Sequence, residues 1–134
     1  MTAAINGTST TQSILIHGAS NSLTFQAGSV SPIAQTLTDG ATVSWDCALG
    51  QNATVTLAGN RTLAAPTNMT AGTFYLIEVR QDATGSRTLA WSAVFKFANG
   101  TAPTLNGTIS SRDYFCFESD GTNMYEVGRT QGVI

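Results

Sequence analysis

Charge is scarce in this chain. Asp, Glu, Lys and Arg together make 10% of its 134 residues, against about a quarter in an ordinary soluble domain. The six basic residues are thinly spread, Arg80, Arg87 and Lys96 form the densest run, and the net charge is −2. No phosphate-tracking stripe can be built from them, so a nucleic-acid partner is not expected. Histidine occurs once, at His17, and cysteine twice, at Cys47 and Cys116. A Ser-His-Asp or Cys-His site would have to use His17, which ends a strand-like run with no companion in sequence. Zinc would need about four nitrogen or sulfur ligands. No catalytic, cofactor-binding or metal-binding residue is therefore assigned, and no enzymatic activity or cofactor is expected. No apolar run approaches the ~20 residues of a membrane helix, and no membrane partner is expected. The start, MTAAINGTST, lacks a basic stretch followed by an apolar one, so no secretory signal is expected. Cys47 and Cys116 lie in apolar alternating runs, and without an oxidising compartment they read as two buried free thiols rather than a disulfide.

The acids give no stronger lead to chemistry. Asp39, Asp82 and Asp120 fall in turn-like stretches, where Asp caps its own backbone. Glu78, Glu118 and Glu126 fall in strand-like runs, where Arg80, Arg112 or Arg129 could pair with them across strands. A glycosidase needs two carboxylates aimed into one groove, and no motif supports such a pair. The stretch SDGTN (119–123) has the start of a calcium loop but lacks its remaining oxygen ligands and closing Glu, and reads as a turn. Six N-x-T sequons, at Asn6, Asn52, Asn60, Asn68, Asn99 and Asn106, follow from a composition that uses Asn in turns and Thr in strands.

What the chain does have is strands. Sustained helical periodicity is absent, and period-2 alternation is frequent. SILIH (13–17), LTFQA (23–27), SPIAQTL (31–37), TVSWDC, ATVTLA and NRTLAAP each read as short strands. TFYLIEVRQ (73–81) is the longest, and its first half is apolar on both faces, which predicts cover on both sides there. RTLAW and AVFKF follow, and DYFCFES (113–119) is expected to pair through DGTN with MYEVG (124–128). Asp39-Gly40 predicts a hairpin-type turn. About ten short strands at roughly 8–12-residue spacing predict an all-β fold, an antiparallel β-sandwich of jelly-roll type with about 8–10 strands. No internal repeat is read. The expected organisation is one domain, 1–134, with an N-terminal arm over about residues 1–12. The expected core includes Trp45, Val55, Leu57, Tyr75, Ile77, Val79, Leu89, Phe115 and Phe117.

Four segments carry a resemblance: DGATVSWDC, ATVTLAGNRTLAAPTNMTAGTFYLIEVRQDATGSRTLAW, GTAPTLNGT and FESDGTNMYEV. In that order they resemble a β-domain of structural proteins in tailed bacteriophages, over about Asp39 to Gly128. The resemblance implies a virion component and brings no catalytic residue with it. Residues 1–38 lie outside it and contain strand signals rather than an elongated stalk. That favours a small capsid decoration or cement protein, made in the host cytoplasm and bound on the capsid surface. The alternative is a tail-fibre or adhesion domain that binds a host-surface receptor. The expected partners are the major capsid protein and other copies of the chain, as a dimer or trimer. Thr2, Ile5, Thr8, Arg80 and Arg87 are the candidate partner-binding residues.

Overall fold

The computed structural model describes residues 34–134, which fall within one compact unit, Ser31–Ile134. The two early strand signals, His17, the expected N-terminal arm, and Thr2, Ile5 and Thr8 lie outside the described residues. Nine strands are described: β1 (Ala34–Thr36), β2 (Thr42–Val43), β3 (Asn52–Leu57), β4 (Arg61–Leu63), β5 (Phe74–Gln81), β6 (Leu89–Trp91), β7 (Phe95–Lys96), β8 (Arg112–Ser119) and β9 (Met124–Val133). There is no α-helix among the described residues, only two short 3₁₀ turns, at Cys47–Leu49 and Ala98–Gly100. The all-β expectation stands.

The strand arrangement differs from the antiparallel sandwich expected. One sheet has the order β1-β3-β5-β8-β9-β7 and the other β2-β4-β6. β1, β3 and β5 are parallel to one another, and so are β2, β4 and β6. The first six strands therefore alternate between the sheets, and each pair lies parallel on the pair before it, as the coils of a β-solenoid do. β8 then runs antiparallel to β5, and β9 antiparallel to β8, while the short β7 lies parallel to β9. The sheet is thus mixed. The Asp39-Gly40 step is not a hairpin turn but the crossing from one sheet to the other. Its carboxylate does not cap its own turn. It accepts from Arg61 Nε at 2.9 Å and from Ala58 N–H at 3.4 Å, which ties the first coil to the second.

The alternation read in the sequence has the correct phase. In β5 the burial alternates residue by residue, with Tyr75, Ile77, Val79 and Gln81 buried. Rows of inward side chains run across the strands: Ala53, Ile77 and Phe115 in one row, Val55 and Val79 in the next. In the smaller sheet the inward row is Val43, Leu63 and Trp91. Both sheets bury these faces in one core cluster, and all nine residues named above as core are buried in it. The second half of that reading fails at the start of β5. Phe74 is 56% exposed and Leu76 half-buried, so the outer face there is not covered among the described residues.

The β8–β9 hairpin forms where expected. Asp120 Oδ1 accepts from the N–H of Thr122 and Asn123 at 2.8 and 2.6 Å, and Gly121 takes φ +88°, a left-handed conformation that glycine adopts without steric cost. A register shift between Cys116 and Phe117 marks a bulge in this ladder. Both cysteines are free, Cys47 buried and Cys116 only partly so. Burial pushes the Cys47 thiol up to about 12, which makes it a poor nucleophile at neutral pH.

Candidate functional site

Arg80 and Arg87 point their charges at their own chain. Arg80, on the outer face of β5, donates from Nε and Nη2 to Glu78 at 2.8 and 2.9 Å. Glu78 also accepts from Tyr114 Oη at 3.1 Å and Thr54 Oγ1 at 3.4 Å, and Arg112 stands 3.4 Å away. These four neighbours come from β3, β5 and β8, and two of them, Thr54 and Tyr114, share the register row of Glu78. The Arg80 guanidinium, first among these donors, holds the Glu78 carboxyl below its usual range. Arg87 donates to Asp82, with Nη2 to Oδ2 at 2.8 Å. Asp82 Oδ1 also accepts from the N–H of Thr84 and Gly85, each at 2.9 Å. Gln81 closes the same loop by exchanging two bonds with the Arg87 backbone. Both arginines thus brace the scaffold. Contact of either with a partner stands as an expectation.

The described residues offer no group of three or more His, Cys, Asp or Glu placed to hold a metal ion. What they offer is surface relief. A cleft of about 390 Å³ is lined by Trp91, Ser92, Ala93, Phe95, Lys96 and Phe97, with Gly100 and Ala102. Local folding makes it. Trp91 ends β6 as the third member of the inward row of the smaller sheet. Ser92 N–H then bonds the Leu63 carbonyl, Phe95 N–H bonds the Ser92 carbonyl, and Met124 N–H takes the Val94 carbonyl. The chain is so turned from one sheet to the edge of the other within four residues. Trp91 packs edge-on against Phe95, Phe97 and Phe115, with ring centroids 5.2, 5.2 and 4.9 Å away. Such T-shaped contacts set a positive ring edge on a negative face. Lys96 Nζ, at the cleft, donates to the Ala93 carbonyl at 2.6 Å.

A second groove, of about 350 Å³, lies on the outer face of the larger sheet, between Leu76, Tyr114, Cys116, Gly128, Arg129 and Thr130. Leu76, Cys116 and Gly128 share a register row, and the missing side chain at Gly128 opens it. Phe74 and Tyr125, 56% and 45% exposed, flank this row.

Two features of the structure went unread in the sequence. Asp113 is 2% exposed and accepts from Asn106 N–H and Gly132 N–H at 2.7 Å each, and from Gln131 Nε2 at 3.1 Å, pinning the 98–111 loop to β9. The Trp91 cleft was the other. Its signal was present in LAWSAVFKF, where Trp91, Phe95 and Phe97 fall within seven residues at even spacing and so share one face of an extended run.

Comparison with known proteins gives one lead. A family model described as "Putative phage tail fibre C-terminal domain" matches residues 48–110. No curated protein and no solved structure matches the chain significantly. The matched stretch contains β3 to β7, hence two of the three parallel coils and the Trp91 cleft. The similarity supports a structural component of a phage virion, which the host cell would make. It does not single out the capsid surface.

Proposed function

We propose that this chain is a non-enzymatic phage structural protein that acts as a tail-fibre domain and binds a host-surface receptor. The observation that carries the reading is the match of residues 48–110 to a tail-fibre C-terminal domain. The geometry is in keeping with it. The fold is a braced β scaffold whose five arginines pair with its own carboxylates, with two surface grooves and exposed aromatics but no reactive cluster among the described residues. Capsid decoration, the reading favoured by sequence, has no support of its own in the match. Partners on this proposal are the receptor and other copies of the chain.

The test is location and competition. Gold-labelled antibody against the chain should decorate virion tails in electron micrographs, and free protein should slow phage adsorption to host cells. Label spread over the head in hundreds of copies would return the reading to capsid decoration.

A further inference from the structure

We propose that the cleft around Trp91 is a saccharide-binding site that takes one or two pyranose units. This rests on the receptor-binding reading and names the chemistry of the receptor. Four observations meet at one place. The cleft, at about 390 Å³, sits at the lower end of the about 300–1,000 Å³ range of small-molecule sites. Its wall is aromatic, from Trp91, Phe95 and Phe97. Two adjacent lining residues, Trp91 and Ser92, carry buried polar atoms, the indole Nε1 and the hydroxyl Oγ, with no hydrogen-bond partner. Lys96 Nζ uses one of its donors on the Ala93 carbonyl, and an ammonium has three.

Buried polar groups in folded proteins are nearly always paired, and an orphan calls for a specific cause. Two orphans on consecutive residues that both line an open cleft call for a ligand or water that supplies them. The indole N–H only donates, and the hydroxyl both donates and accepts. A sugar hydroxyl can do either toward each. The C–H faces of a pyranose ring also suit the π-face of an aromatic side chain. A purely apolar ligand would fill the aromatic part and leave both orphans unmet. A phosphate would meet one cation, Lys96, in a mostly neutral cleft. An extended peptide strand would need a sheet edge, and β7 offers two residues. Both atoms are closed off from solvent, so a ring settling into the cleft reaches them only if the half-buried Trp91 and Ser92 side chains rotate toward it.

The experiment uses the full chain and the methyl glycosides of glucose, galactose, rhamnose, N-acetylglucosamine and glucuronic acid, read by saturation-transfer NMR. At least one glycoside should receive saturation and reach a plateau in the millimolar range. Trp91→Phe keeps an aromatic ring and removes the N–H, and Ser92→Ala removes the hydroxyl. Each should weaken binding about tenfold, the value of one well-made hydrogen bond, with the unfolding midpoint of Ser92→Ala unchanged. Lys96→Ala should weaken the glucuronide more than the neutral sugars. If no glycoside binds at tens of millimolar, or if both Trp91→Phe and Ser92→Ala bind as the parent does, the saccharide site is wrong. Adsorption competition separates this from the parent reading. Protein that blocks adsorption yet binds no glycoside keeps the receptor role and loses the sugar. Protein that binds a glycoside without blocking adsorption keeps the site and loses the role.

Discussion

β5 has different kinds of neighbour on its two sides. On one side lie β3 and then β1, parallel strands reached only after the chain has visited the other sheet. On the other lie β8 and then β9, antiparallel to each other and joined by a tight turn. The β8–β9 pairing is local, and its turn is written in the residues that make it: Asp120 caps the backbone and Gly121 supplies the positive φ. The parallel pairings need closure of long loops, which costs entropy before any contact returns it. They are specified by rows of side chains that meet only after folding, such as Val43, Leu63 and Trp91. A local motif therefore governs one region and core complementarity the other.

Whether the two regions nonetheless fold as one unit is tested by the largest predicted effect. Phe115 is fully buried on β8, shares a row with Ile77 of β5 and stands 4.9 Å from Trp91 of β6. Phe115→Ala should cost ~3–5 kcal/mol, read from urea unfolding. Leu57→Ala, within the parallel coils and also fully buried, should cost ~2–5 kcal/mol. Because one core cluster serves both regions, each variant should still unfold in a single transition, with circular dichroism and tryptophan fluorescence coincident. Separated transitions in the Phe115 variant would mean that the parallel coils stand alone and the hairpin is an accessory.

The same division governs what could be read in advance. Strand existence and the inward face were legible from period 2, since alternation depends only on the residues concerned. That is why Trp45, Val55, Ile77 and Phe117 were placed correctly. The β8–β9 hairpin was legible from its turn. Parallel pairing was not, because the coils are unequal: Ala34, Asn52 and Leu76 are equivalent in register but unevenly spaced in sequence, and no fixed period betrays them. Asp39-Gly40 misled for a physical reason. Asp-Gly favours a turn but does not choose the partner strand, and here the Asp39 carboxylate binds Arg61 of the next coil. The cleft was hidden because it depends on Trp91 and Phe97 approaching from different strands and loops.

A second prediction probes how the antiparallel side is held. Asp113 offers both carboxylate oxygens to backbone N–H groups, Oδ2 to Asn106 and Oδ1 to Gly132. Asp113→Asn is nearly isosteric, yet its amide NH₂ must face one of those donors. The loss should be ~1–3 kcal/mol, the cost of an unmet buried group. Hydrogen exchange should speed most at Asn106 and Gly132, and little in β3. Uniform loss of protection across both regions would show that Asp113 supports the whole core and not this side alone.

The smallest effect concerns acid, and it separates the two regions by mechanism. Asp82, in the loop between β5 and β6, and Asp120, in the β8–β9 turn, are both drawn down to about 2 from an ordinary 3.8. A carboxyl whose folded pKa is depressed stabilises the fold above its unfolded pKa, and that contribution is lost as pH falls through the folded value. The unfolding midpoint should therefore be flat above about pH 5 and decline between about pH 4 and 2. The causes differ. Asp82 is lowered first by the Arg87 side chain, a partly exposed ion pair that salt screens. Asp120 is lowered first by the backbone N–H groups of Asn123 and Thr122, neutral donors that salt screens far less. Carboxyl titration by NMR at about 0.1 M and about 1 M salt should raise the Asp82 pKa toward its ordinary value and leave Asp120 nearly fixed. Equal movement of both would mean that the Arg87 pair contributes no more to Asp82 than backbone capping does, and that the two turns are held by the same interaction.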